Sequence, residues 1–143
     1  MALTRADEAL LSLLRENARA STAEIARKLQ LSRTTVQSRI QRLEQMGVIA
    51  GYTVRIGDDF GRDRIRALIM VTVLPKQMPA VVEALRGMRE VRSLQSVSGI
   101  WDLVALAIVP TIGEMDELTD RIGALQGVER TTSSLVLSTK FER

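Results

Sequence analysis

Seven residues between positions 33 and 42, namely Arg33, Thr34, Thr35, Gln37, Ser38, Arg39 and Arg42, are cations or short hydrogen bonders in a stretch without acid. Hydroxyl and amide side chains exchange hydrogen bonds with base edges, and arginine reaches phosphate or guanine. At about 100° per residue, Thr34, Ser38, Gln41 and Gln45 lie opposite the apolar stripe Val36, Ile40 and Leu43, with Gln37 on one flank and Thr35, Arg39 and Arg42 on the other. A merely solvated helix usually mixes glutamate with lysine, whereas this one sets its arginines against Glu44 alone. The face implies contact with DNA, with Thr34, Thr35, Gln37 and Ser38 near base edges and Arg33, Arg39 and Arg42 on phosphate or guanine.

Local signals place that helix. Ser21 and Glu24 have capping-box spacing, so a first short helix begins near Thr22 and buries Ile25, Ala26 and Leu29. Gln30, Leu31 and Ser32 make a turn, Ser32 caps the second helix, and Gly47 ends it. Beyond it, Val48, Ile49, Tyr52, Val54 and Ile56 are β-prone around Gly51, which predicts a wing hairpin. The N-terminal part therefore reads as a winged helix-turn-helix.

The string L-S-x-x-x-V-x-x-R-I-x-x-L-E-x-x-G-V-I-x-G-Y, Leu31 to Tyr52, resembles the DNA-binding domain of the Lrp/AsnC (leucine-responsive, feast/famine) regulators. The opening segment is similar to that family's first helix, with Thr4 and Asp7 at cap-box spacing and Leu3, Ala6, Leu10, Leu13 and Leu14 as its buried stripe. The resemblance implies a transcriptional regulator whose partner is double-stranded DNA.

Composition sets independent bounds. A chain of 143 residues, 45% hydrophobic, holds one ordinary core or two small ones, and small cores gain from self-association. It has neither cysteine nor histidine, which excludes disulfides, thiolate chemistry and the usual nucleophilic triads, and removes the commonest metal ligand. No catalytic residues, metal or cofactor are expected. No charge-free apolar run approaches about 18 residues and no secretory pattern opens the chain, so no membrane partner and a cytoplasmic location are expected. Residues 1–57 hold nine Arg or Lys and five acids; residues 58–143 hold eleven and twelve. The basic surplus lies with the helix-turn-helix, where it favours a phosphate backbone. GDDFGRDR at 57–64 breaks both periodicities. The chain is accordingly divided into a DNA-binding domain at 1–57, a hinge at 58–64 and a second domain at 65–143.

That second domain carries a faint repeat. Strand-like Ile65 to Leu74 is followed by a helix at Ala80 to Met88 and a strand at Val91 to Val97. Strand-like Leu103 to Val109 is followed by a helix at Glu114 to Leu125 and a strand at Val128 to Leu137. Pro75 and Pro110 end the leading strands 35 residues apart. Two βαβ units of this length predict a ferredoxin-like βαββαβ domain and an α+β fold class. Strands as apolar as ALIMVTV and LVALAIV would leave one sheet face wet, and a partner sheet from a second subunit would cover it.

This half resembles the same family's RAM (regulation of amino acid metabolism) module through Ser98, Gly99, Ile100, Trp101, Asp102, Leu103 and Val104, which stand where the family has a G-x-[YFW]-D-[YL]-[LV] turn. Ile100 and Leu103 depart from the polar and aromatic residues common there. An amino-acid effector needs an anion for its ammonium, donors for its carboxylate and an apolar pocket. Asp102 offers the first and the amides around Gly99 the second. The resemblance adds Ser133, Ser134, Leu135 and Ile112 to the effector set of Ser98, Gly99, Trp101 and Asp102. The largely apolar surroundings favour leucine or methionine. Each residue also has a plain structural role open to it: Asp102 as a turn cap, Trp101 as core or interface, the Thr/Ser run as an exposed strand.

The resemblance further implies homodimers assembling into tetramers or octamers. Two other readings stand beside the ligand-responsive regulator. One is a ligand-independent architectural DNA-binding protein whose C-terminal domain serves only assembly. The other, a small ferredoxin-like enzyme, lacks a close acid/base constellation.

Overall fold

The computed structural model describes residues 2–57, 60 and 64–143 of the chain. Apart from Phe60 and Arg64, the expected hinge at 58–64 lies outside the described residues. The chain forms two compact units, Met1–Arg55 and Ile56–Arg143, a division two residues ahead of the one drawn from sequence.

In the first unit, α1 (Arg5–Glu16), α2 (Thr22–Leu29) and α3 (Arg33–Gln45) pack around Leu10, Ile25, Ala26, Val36 and Leu43, all buried. Burial of each large side chain contributes roughly 1.5–3 kcal/mol. Capping orders the helix starts. Thr4 Oγ1 accepts the Asp7 amide at 3.2 Å while Asp7 Oδ2 accepts the Thr4 amide at 3.0 Å, a complete capping box. The box expected at α2 is only half formed: Ser21 Oγ accepts the Glu24 amide at 3.1 Å, but the Glu24 carboxylate lies 3.6 Å from Lys28 Nζ, one turn along. Gln30 ends α2 in the left-handed region, φ 55°, and the Leu31 amide donates to Ala26 O at 2.9 Å.

Gly47, φ 71°, ends the turn after α3, and the Ile49 amide donates to Leu43 O at 3.0 Å, seating Ile49 on the core. There the order expected from sequence stops. Residues 51–57 form no strand, and Tyr52, Val54 and Ile56 are exposed, so the wing hairpin is corrected to an irregular segment. A β-prone run needs a partner for its backbone and a surface for its side chains, and a two-stranded ribbon without either is marginal.

The second unit contains β1 (Ile65–Val73), a 3₁₀ turn (Pro75–Gln77), α4 (Met78–Arg86), β2 (Val91–Ser96), β3 (Leu103–Val109), α5 (Ile112–Gly123) and β4 (Val128–Leu135). Its strands run antiparallel in the order β2-β3-β1-β4, the ferredoxin-like arrangement. Alternation fixes the faces. Ala67, Ile69 and Val71 pair along β3 with Ala107, Ala105 and Leu103, and together with Val73 and Val109 they pack on Val81, Leu85, Met115, Leu118 and Ile122 of the two helices. The intervening residues point the other way. Leu68 opposite Leu106, Met70 opposite Val104, and Ile108 form an apolar stripe that neither helix covers.

Element ends differ slightly from expectation, for visible reasons. β1 stops at Val73 because the Leu74 amide turns to Gly127 O, 2.8 Å away. Thr111 starts α5 at Ile112, two residues early, by accepting the Glu114 amide at 3.1 Å.

Candidate nucleic-acid interface and effector turn

Helix α3 begins with its donors largely free of acid. Ser32 Oγ accepts the Thr35 amide at 3.1 Å, and no acidic residue occupies the first turn, so the positive end of the helix dipole is left uncompensated. Arg33, Thr34, Gln37 and Ser38 are exposed, as is Gln41. Thr35 differs from expectation: it is half-buried and its hydroxyl lies 2.7 Å from Ser32 Oγ, inside the cap rather than toward a base.

Arg39 and Arg42 also differ, and more consequentially. Arg42 Nη2 donates to Asp7 Oδ1 at 2.6 Å, and Arg39 Nη1 lies 3.5 Å from the same oxygen. Asp7 is 2% exposed, and its other oxygen also accepts the Thr4 hydroxyl at 2.7 Å. The hydrogen bonds from the Thr4 hydroxyl and amide, reinforced by Arg42, hold the carboxyl down at about 2. The two arginines expected on phosphate or guanine are thus turned onto α1, because a buried carboxylate requires cations. Sequence reading missed Asp7 in this role. Its only signal was an acid inside the stripe expected to be buried.

In the second unit, Ser98, Gly99 and Ile100 are exposed in the turn between β2 and β3, where Gly99 has φ 105°. Trp101 is half-buried, with the Arg130 guanidinium 4.9 Å from its ring centre. Asp102 ties the turn down. Its amide donates to Val71 O at 3.0 Å, its carbonyl accepts the Val97 amide at 3.0 Å, and its Oδ2 accepts the Val73 amide at 2.8 Å.

The remaining effector candidates lie elsewhere on the sheet. Ser134 pairs with Leu68 and shares the open face with the apolar stripe, whereas Ser133 and Leu135, opposite Ile69 and Ala67, face the helix side at the sheet edge. Ile112 opens α5 beyond Val109, and Asp102 precedes Leu103, so the length of β3, about 20 Å, separates them. One subunit therefore does not gather the set. A cleft of about 240 Å³ between α4 and β2, against Leu85, Arg86, Arg92 and Leu94, contains none of these residues.

A capped helix-turn-helix joined to a ferredoxin-like sheet with one uncovered face defines a DNA-binding protein that carries a separate second module. Residues 66–143 match the family described as the Lrp/AsnC ligand binding domain, and residues 3–50 match the winged helix-turn-helix DNA-binding family. The transcriptional regulator LrpA of Mycobacterium tuberculosis is 34% identical over 98% of this chain and 93% of its own. AsnC of E. coli shares the fold at a TM-score of 0.87 and 22% identity, covering 100% of this chain and 97% of that one. A regulator of Neisseria meningitidis, solved as its L-Met complex, shares it at a TM-score of 0.88 and 22% identity, covering 99% and 94%. The chain belongs to the Lrp/AsnC family of DNA-binding transcriptional regulators, which are not enzymes, and its C-terminal unit is the family's ligand-binding domain. Among the described residues, no helix is long and apolar enough to cross a membrane.

Proposed function

We propose that the protein is a dimeric regulator, active on DNA in the cytoplasm, whose assembly and operator binding respond to a free amino acid with an apolar side chain, leucine or methionine. The observation that carries this reading is the uncovered stripe of Leu68, Met70, Val104, Leu106 and Ile108, which a second copy of the sheet would cover. The separation of Asp102 from Ile112 along β3 supports a pocket completed between subunits, in which Ser98, Gly99, Trp101 and Asp102 of one copy meet Ile112, Ser133, Ser134 and Leu135 of another. The L-Met complex of the Neisseria meningitidis regulator supports the effector class. A dimer would present two copies of α3 to half-sites about 34 Å apart or a multiple of it, and further association to tetramers or octamers would let an effector decide which operators are bridged, at about 1–3 kcal/mol of coupling.

One observation favours a second reading, a ligand-independent architectural protein: Asp102 already spends one carboxylate oxygen on the Val73 amide. Calorimetry with each free amino acid, run beside sedimentation and binding to a duplex selected by the protein, separates the two. Binding of leucine or methionine together with a shift in assembly supports the sensor. A dimer that binds DNA and no amino acid supports the architectural reading, and a stable monomer at micromolar concentration defeats both.

A further inference from the structure

We infer that Asp7 is a specificity-determining residue for DNA: from α1 it holds Arg39 and Arg42 off the phosphate backbone, so that α3 meets the duplex with Arg33, Thr34, Gln37 and Ser38. The inference rests on α3 being the recognition helix. Both oxygens of the carboxylate are engaged. Oδ2 takes the Thr4 amide at 3.0 Å and the Thr4 hydroxyl at 2.7 Å, while Oδ1 takes Arg42 at 2.6 Å with Arg39 at 3.5 Å. Asp7 itself is 2% exposed, yet the Arg42 side chain is 47% exposed and the Arg39 side chain 29%. The guanidinium groups therefore lie at the domain surface with their charge directed inward.

Neither arginine can leave for a phosphate without weakening the compensation of a buried anion, which is strongly disfavoured. On helical spacing, Arg42 borders the outer face that carries Ser38 and Gln41, so a freed Arg42 swings onto that face. An arginine on the backbone strengthens binding to every sequence alike and carries no base information. The carboxylate thus subtracts sequence-independent affinity from a helix whose first turn has no acid to do so.

The test compares the full chain with Asp7→Asn, which keeps an acceptor for the Thr4 amide and removes the charge. Binding is read by anisotropy between 50 and 200 mM salt, on a mixed-sequence duplex and on a duplex selected from random DNA by the parent. Freeing one or two arginines steepens the logarithmic salt slope on the mixed duplex by about 1 to 2, which is a gain of about 4- to 16-fold at the lower salt relative to the higher, and lowers the ratio of selected to mixed affinity. An unchanged slope in a folded Asp7→Asn protein overturns the inference and leaves Asp7 a capping residue only. If circular dichroism shows that Asp7→Asn does not fold, Arg42→Gln decides: the parental slope upholds the inference, and a slope shallower by about 1 overturns it, because Arg42 then contacts phosphate in the parent. Ser38→Ala reports separately on the reading of α3. If it leaves sequence preference unchanged, the recognition helix is misassigned whatever Asp7 does to the slope.

Discussion

Asp102 Oδ2 accepts the amide proton of Val73 at 2.8 Å, so the residue proposed to meet an effector's ammonium group also closes the end of β1. Its two roles are separable by substitution. Asp102→Ala strands a part-buried amide and costs about 1–3 kcal/mol of stability in the C-terminal unit. Asp102→Asn keeps a neutral acceptor for Val73 and removes the charge. Amino-acid affinity measured by calorimetry falls in both variants, while the melting temperature falls mainly in Asp102→Ala. Undiminished amino-acid affinity in Asp102→Asn removes the residue from the site.

A second expectation concerns the start of α3, where Ser32 caps a first turn without acid. Ser32→Asp preserves the cap and adds a negative charge at the positive helix end, worth about 0.3–1 kcal/mol of added stability. If α3 is the recognition helix proposed above, the same charge faces the phosphates of a bound duplex. The variant is therefore more heat-stable and weaker on DNA at low salt, two opposed changes to be measured by calorimetric melting and anisotropy. Parental DNA affinity would place the start of α3 away from the backbone.

Gly127 supplies a third. Its φ is 98°, and a Cβ added there would stand 2.2 Å from Gln77 Cβ, a point on the 3₁₀ turn that cannot swing aside. Gly127→Ala combines backbone strain with overlap and destabilises the C-terminal unit by about 2 kcal/mol or more. Denaturant unfolding checks this. A loss below about 0.5 kcal/mol would mean that the 3₁₀ turn yields freely.

How much of this was legible in the chain depends on the range of the interaction. Helix starts at Thr4, Ser21 and Ser32 are local, and the alternation of Ala67, Ile69, Val71 and Val73 announces a half-buried strand. The wing was not legible, since β propensity in Val54 and Ile56 says nothing about whether a partner strand is present. Nor was the fate of Arg42: spacing along α3 gives its direction, but its partner Asp7 is 35 residues away in sequence. The dispersal of Asp102 and Ile112 to opposite ends of β3 likewise depends on topology, which a list of suitable side chains does not contain.

The Asp7 carboxyl gives the final expectation, a dependence on acid. Its folded pKa is lowered to about 2, against about 3.8 unperturbed, by the Thr4 hydrogen bonds first and Arg42 after them. A depressed folded value means that the stabilisation is fully present above about pH 4 and drains away as pH falls toward 2. The difference in melting temperature between parent and Asp7→Asn, followed by circular dichroism, therefore narrows through that interval. A constant difference from pH 5 to pH 2 would show that the charge of Asp7 contributes nothing.

Trp101 is the one tryptophan of the chain, and the Arg130 guanidinium lies 4.9 Å from the centre of its ring. All indole emission from the molecule thus originates in the turn between β2 and β3, under a positive charge carried by the edge strand β4. Movement of that cation, or its replacement by a bound carboxylate or aliphatic group, alters the field on the excited ring and shifts its colour. The protein carries a built-in optical gauge of this turn, readable without a dye and without DNA.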